Sequence, residues 1–386
     1  MNQEEVFMRR ALQLAERGRG WTSPNPVVGA VIVREGEIIG EGWHERYGGL
    51  HAERNALADC RKRGENPSGA TLYVTLEPCC HYGKTPPCTE AIIEAGIKEV
   101  VVGILDCNPL VCGNGIRVLK EHKIAVRTGI LQEECLQQNR IFFHYVKHHT
   151  PYVLMKYAMT LDGRIASVTG DARWITGEAA RKHVHELRHK LSAIMVGVGT
   201  VLADDPMLNC RLPGTSDPIR IICDTTLKTP LHSKIIQTAS QQRTIFATCC
   251  DDLKKVEEYQ SRGCEVLTIE REKGHICLPA LMRALGAMEI DSVLLEGGAE
   301  MNWSALQSNM VNEVYAYIAP KLLGGVTAKG PIGGSGLEDV NRAVMVRNQR
   351  IEKIGEDFLV TGYLEYQNSK GGEAECLRES SRKSGQ

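Results

Sequence analysis

A chain of 386 residues exceeds one average domain and suffices for two, each large enough to bury its own core. A formal net charge of −1 with 24% charged residues gives no general attraction to phosphate backbones, so nucleic acid is not an expected partner. No apolar run is long enough to span a bilayer, no leader-like segment follows Met1, and the 14 cysteines include the neighbours Cys79-Cys80 and Cys249-Cys250; together these predict reduced thiols, a cytoplasmic location and no membrane partner.

In chain order, Phe7, Ala11, Leu14 and Ala15 recur at helical spacing, predicting an amphipathic helix over residues 3–17 that covers one face of a sheet. The turn-rich Ser23-Pro24-Asn25-Pro26 feeds a β-branched run, Val27 to Val33. With Arg34-Glu35-Gly36 and a strand around Ile38-Ile39, this reads as a hairpin. Ala52 to Lys62 reads as a helix and Thr71 to Thr75 as a strand. A helix is expected from Cys88 through Ile92 and Ala95, then a strand at Val100 to Gly103, a turn at Asp106 to Gly115, a helix near Val118 and a strand at Ile124 to Thr128. This alternation is an α/β domain. Apolar periodicity breaks at His148-His149-Thr150-Pro151, which predicts a boundary: residues 1–148, residues 149–367, and a polar tail at 368–386 expected to be disordered. Beyond it, strands are expected at Tyr152 to Met159, Ala193 to Gly197, Ser292 to Leu295, near Val314 to Ala319, and at Phe358 to Tyr366. Two glycine turns, Gly197-Val198-Gly199-Thr200 and Glu296-Gly297-Gly298-Ala299, lead into helices, the second from about Met301. Free backbone N–H groups at such a helix start suit a pyrophosphate, although a plain chain reversal would use the same glycines.

The chemistry concentrates between His51 and Cys88. His51-Ala52-Glu53, Glu77-Pro78-Cys79 and Pro86-Pro87-Cys88 offer one imidazole and two thiolates, a set that holds a tetrahedral zinc ion and leaves one position for water. Such an ion lowers the pKa of its water from about 15.7 toward about 7. Glu53, two residues from His51, would then move protons as general acid and base without ligating. Zinc nucleobase deaminases carry His-x-Glu followed by Pro-Cys-x-x-Cys, whereas here the second cysteine follows nine positions after the first. Cys60, Cys80, His81 and His44 lie near enough in sequence to compete as ligands, so a closed four-ligand structural zinc and ordinary buried thiols both stand as alternatives.

With His-Tyr-Gly-Lys-Thr-Pro-Pro-Cys at 81–88 and Pro-Asn-Pro-Val-Val-Gly at 24–29, the chain resembles the bifunctional riboflavin-biosynthesis family that fuses a pyrimidine deaminase to a reductase. The resemblance covers about residues 1 to 366 and continues through Met155-Lys156-Tyr157-Ala158-Met159-Thr160-Leu161-Asp162-Gly163-Arg164, Trp174-Ile175-Thr176-Gly177 and the run from Gly197 to Pro206. It implies a cytidine-deaminase-like three-layer α/β/α domain followed by a dihydrofolate-reductase-like α/β domain. By it, Glu53 is catalytic, His51, Cys79 and Cys88 hold zinc, and Asn25, His44, His81, Lys84, Asp106 and Asn108 bind the pyrimidine or its ribose phosphate. It assigns Ala158, Trp174, Thr200, Asp204, Thr225, Gly298, Ala299, Glu300, Met301, Asn302, Trp303 and Ser304 to NADPH. Ala172, Arg188, Leu208, Arg211 and Glu296 fall to the reductase substrate, and Lys156 or Asp204 is a candidate proton donor. Two departures stand out: Cys107 replaces the proline of an Asp-Pro-Asn-Pro turn, and Ala172 replaces a substrate-contacting serine.

The implied function is zinc-dependent hydrolytic deamination of 2,5-diamino-6-ribosylamino-4(3H)-pyrimidinone 5′-phosphate, then NADPH-dependent reduction of its ribosyl side chain to ribityl. Small pyrimidine ribose phosphates are the expected partners, and a homo-oligomer the expected assembly. Rival readings are another nucleoside or nucleobase deaminase with an unrelated second domain, which predicts Cys-x-x-Cys, and a zinc-stabilised binding module, which predicts a fourth protein ligand.

Overall fold

The computed structural model describes residues 2–82, 86–108 and 111–367. The Lys84 expectation and that of a disordered tail at 368–386 lie outside the described residues.

The chain opens with α1 (Gln3–Glu16), capped by the Asn2 side chain, which accepts from the Glu4 N–H. Strands β1 (Gly29–Arg34) and β2 (Glu37–Trp43) form the expected hairpin, followed by α2 (Ala52–Lys62), β3 (Thr71–Leu76), α3 (Cys88–Glu94), β4 (Glu99–Ile104), α4 (Asn114–Glu121) and β5 (Ala125–Thr128). Two helices with no counterpart in the sequence reading, α5 (Gln132–Gln138) and α6 (Arg140–His148), follow. The sheet order is β2-β1-β3-β4-β5, antiparallel across β1 and parallel from β3 to β5.

Alternation along the strands splits the core into two layers. Val31, Val33, Tyr73 and Val101 pack on Phe7, Met8, Ala11 and Leu14 of α1 and on Cys135 of α5. Ala30, Ile32, Leu72, Val74, Val100 and Val102 pack on Ala52, Ala56 and Leu57 of α2, Ile92 of α3 and Leu119 of α4. Two glycines of β2 bring α2 unusually close. A Cβ on Gly42 would lie 2.2 Å from the Ala56 nitrogen and 2.4 Å from the Ala52 oxygen, and one on Gly40 would lie 2.3 Å from Cys60 Sγ. The helix bearing Glu53 therefore rests directly on the strand.

The second half runs β6 (Tyr152–Thr160), α7 (Glu178–Lys190), β7 (Ala193–Gly197), α8 (Val198–Asp204), β8 (Ile219–Cys223), α9 (Lys234–Gln237), β9 (Thr244–Thr248), α10 (Leu253–Gln260) and β10 (Glu265–Thr268). A two-residue ribbon, β11 (Arg271–Glu272) and β12 (His275–Ile276), leads to α11 (Leu278–Ala287), β13 (Ser292–Leu295), α12 (Ala299–Gln307), β14 (Glu313–Ala319), β15 (Met345–Ile354) and β16 (Asp357–Glu365). These build one sheet, β10-β9-β8-β7-β13-β6-β14-β16-β15, parallel except for its last two strands. Met155, Met195, Ile221, Val293 and Leu295 face α11, while Leu154, Ile194, Ile222, Phe246 and Leu294 face α7 to α10 on the other side. Both faces of its parallel part are covered, as a parallel sheet requires, while the edge strand β15 is exposed.

Candidate active sites

His51 is the N-cap of α2, Glu53 stands in its first turn, and Cys88 begins α3. Cys79 follows the exit of β3. The Thr89 N–H donates to the Cys79 carbonyl at 3.2 Å, and Arg54 of α2 donates through Nε and Nη2 to the Pro86 and Pro87 carbonyls at 3.2 and 2.8 Å. Arg54 thus ties the segment before Cys88 to the helix that carries His51 and Glu53. His51 Nδ1 is 3.4 Å from both Cys79 Sγ and Cys88 Sγ, and the Cys88 N–H donates to Cys79 Sγ at 3.4 Å.

These three ligand atoms lie within 4.8 Å of one another. Among the described residues neither Cys60, Cys80, His81 nor His44 joins the group. Cys60 is instead buried between α2 and β2, where burial pushes its thiol up to about 11. The hydrogen bond from Cys88, with His51 beside it, pulls Cys79 down to about 4, while the same contact and burial raise Cys88. One imidazole and two sulfurs are a donor set suited to a soft divalent cation. Glu53 is buried, burial pushes its carboxyl up, and its Oε2 has no hydrogen-bond partner. Three ligands converge and a fourth, unpartnered oxygen stands beside them, so the donor set fits zinc with one position open to water.

A cavity of about 290 Å³ opens onto this set. It brings together eight residues expected from the sequence: Asn25, His44, His51, Glu53, Cys79, His81, Asp106 and Asn108. His44 Nδ1 donates to the Leu50 carbonyl at 3.0 Å, which leaves Nε2 to accept the Asn25 amide N–H at 3.2 Å and fixes which way that amide points. The Asp106 carboxylate accepts the Asn108 N–H at 2.8 Å, and burial pushes its pKa up to about 6. The cavity also holds Tyr47, Glu77, Val111 and Phe142, which sequence reasoning assigned no role. Glu77 was visible within Glu-Pro-Cys, but Phe142 belongs to the unread α6. A second cavity of about 310 Å³, where the two halves meet, is lined by Ser23, Tyr47, His189, Ser216 and Glu289 and gathers no expected residue.

In the second half the expected residues gather at the carboxyl ends of the central strands, the edge where open parallel sheets place ligands. The Gly197 N–H donates to the Gly297 carbonyl at 3.0 Å, and Thr200 Oγ1 is 3.5 Å from where a Gly298 Cβ would sit, so the two glycine turns touch. Helix α12 starts at Ala299, two residues earlier than Met301, because Gly298 is its extended N-cap. Thr225 follows β8, Ala158 lies near the end of β6, Trp174 is 59% exposed under the Arg181 guanidinium, and Asp204 is exposed at the end of α8. The side chain of Asn302 donates to the Pro331 carbonyl at 2.8 Å, and Gly334 lies against the Trp303 ring; these two residues hold the 331–334 segment over α12, alongside Ala299, whose carbonyl accepts from Gly333.

Arg188 grips Glu296 through Nε and Nη2 at 2.7 and 3.0 Å and donates its remaining arm to the Asn209 carbonyl. Its fork is spent inside the protein, whereas Arg211 is exposed. Lys156 Nζ lies 3.8 Å from Glu296. Although burial opposes it, Arg188 and Lys156 hold Glu296 down to about 2, and burial lowers Lys156. Leu208 is buried with φ +53°, and the Ala172 carbonyl accepts from Ile175.

Comparison with known proteins agrees with both halves. Residues 1–104 match the cytidine and deoxycytidylate deaminase zinc-binding region, and residues 151–360 match the RibD C-terminal domain. The riboflavin biosynthesis protein RibD of Actinobacillus pleuropneumoniae is 54% identical, covering 92% of this chain and 93% of that one. That of Escherichia coli K12 is 41% identical over 92% of this chain and 98% of its own. The crystal structure of a diaminohydroxyphosphoribosylaminopyrimidine deaminase/5-amino-6-(5-phosphoribosylamino)uracil reductase from Thermotoga maritima superposes with a TM-score of 0.84 at 40% identity, over 94% of this chain and 99% of that one. A converged His-Cys-Cys set with a buried glutamate, on a chain matched over 92% or more of its length by such relatives, places this protein in the RibD family of bifunctional riboflavin biosynthesis enzymes.

Proposed function

We propose that residues 1–148 deaminate 2,5-diamino-6-ribosylamino-4(3H)-pyrimidinone 5′-phosphate by hydrolysis, and that residues 149–367 then reduce the ribosyl group to ribityl with NADPH. The observation that carries the first step is the meeting of His51, Cys79 and Cys88 beside the unpartnered Glu53 Oε2, in a cavity shared with Asn25, His44 and Asp106. Zinc on the His-Cys-Cys set supplies, when bound, an activated water as nucleophile. Glu53 takes up a proton at Oε2, delivers it to the ring nitrogen beside the 2-amino carbon, and carries a second to the departing ammonia. Asn25, oriented by His44, holds the ring. Asp106, Asn108, His81 and Lys84 take the ribose-phosphate end.

In the second half NADPH supplies the hydride that reaches C1′ of the sugar. The Gly297-Gly298 turn and the first N–H groups of α12 receive its pyrophosphate. Thr200 and Thr225 flank it, and Trp174 and Asp204 stand at its rim. Arg188 acts by holding Glu296, and Arg211 is the guanidinium that meets the substrate phosphate. Lys156, half-buried beside Glu296, is the better candidate than exposed Asp204 to give the sugar oxygen its proton.

A cytoplasmic site of action goes with this reading; no helix among the described residues is long and apolar enough to cross a membrane. A homo-oligomer is the assembly that goes with this reading. The test is to supply the pyrimidine phosphate with and without NADPH and to follow ammonia release and cofactor oxidation separately. Ammonia should appear without NADPH, and oxidation should require prior deamination. NADPH oxidation without ammonia release would refute the order of steps.

A further inference from the structure

Glu77 is buried, yet no Lys or Arg side chain pairs with it among the described residues. Its carboxylate instead accepts three backbone N–H groups from far downstream: Asp106 at 3.3 Å, Gly113 at 3.0 Å and Ile116 at 3.2 Å. The last two belong to the N-cap and first turn of α4, whose cap residue is a glycine with no side chain to offer. An anion there satisfies orphan donors and complements the helix dipole. The approach is built in, since a Cβ on Gly115 would lie 2.1 Å from the Pro78 oxygen. The same anchor reaches Asp106, which in turn holds the Asn108 N–H at 2.8 Å. With Cys107 in place of a φ-restricting proline between them, that turn takes part of its shape from these hydrogen bonds.

We infer that Glu77 is a positioning residue for the deamination: it locks Asp106 and Asn108 to the strand end that carries Cys79, and so fixes the span from the reacting ring carbon to the ribose phosphate. This rests on the deaminase reading above. Glu77 touches no reacting atom; its effect passes through the two residues it holds.

The experiment compares full-length wild type with Glu77→Gln, which keeps one acceptor oxygen but turns an amide NH₂ toward the N–H donors. KM for the pyrimidine ribose phosphate should rise about tenfold or more while kcat stays within about threefold. Bound zinc, deamination of the free pyrimidine base and NADPH oxidation on the deaminated substrate should not change. An unchanged KM, a loss confined to kcat, or loss of zinc would overturn the inference. Should Glu77→Gln lose both activities, Gly115→Ala, whose Cβ would meet the Pro78 oxygen at 2.1 Å and Glu77 Oε1 at 3.2 Å and so loosens the same anchor while keeping the carboxylate, decides by the same criteria. Absence of ammonia release in the wild type would instead remove the deaminase reading itself.

Discussion

Arg54 shows how much of this chemistry depends on residues that touch no reactant. Its guanidinium spans from α2 to the Pro86 and Pro87 carbonyls and sets where Cys88 can lie relative to His51. Arg54→Ala should therefore weaken zinc retention about 10- to 100-fold, read by chelator competition, while the fold and the NADPH half are unaffected. At the other site Glu296 has the corresponding place. Glu296→Gln would leave Arg188 buried without its counter-charge, and NADPH oxidation should fall while ammonia release persists. The set of His51, Cys79 and Cys88 that converges beside Glu53 was legible in the sequence because metal chemistry demands particular residue types at short spacing. Arg54, Glu77 and the Arg188–Glu296 grip were not, since nothing in the local sequence says which carbonyl or carboxylate a distant side chain will meet.

Elements were legible where an apolar period was long enough to read. The α2 bounds, Ala52–Lys62, follow from its spacing, and the buried side of α1 is the expected one. Helix α6 escaped because no residue in it is fully buried, and α5 because Leu131 enters it with φ +53°. Between residues 205 and 291 the strands and α9 are two to five residues long, and β8 is interrupted by Arg220. That arginine is fully buried yet satisfied by Thr244, Met207, Thr238 and Gln242. Glycine contact between β2 and α2 is also invisible to periodicity, yet it seats the deaminase site. Gly42→Ala would force α2 off the sheet at a cost of about 1–3 kcal/mol. Ammonia release should fall with it, and a thermal melt should show the loss of stability.

Across the whole molecule the halves are joined by α6 and by side chains that cross between them. Arg140 donates to Glu313 at 2.9 and 3.0 Å and the Tyr145 hydroxyl donates to the Gly286 carbonyl, while within the second half the Tyr152 hydroxyl donates to the same Glu313 carboxylate at 3.1 Å. His144, in the same helix, packs on His148 and Tyr152, and burial holds it down to about 4. Its folded pKa lies below the ordinary 6.5, so its contribution to stability is complete above pH 6.5 and is lost as pH falls toward about 4. Denaturant titrations should show up to about 3 kcal/mol of this loss in the wild type and not in His144→Gln. The proposed deamination rests on a metal held by three side chains with Glu53 left out of the coordination. Its most direct test is zinc content together with ammonia release in full-length Glu53→Gln. The variant should keep the wild-type zinc content and oxidise NADPH on the deaminated substrate normally, while ammonia release drops at least about 100-fold. Persistent ammonia release, or loss of the zinc, would contradict it.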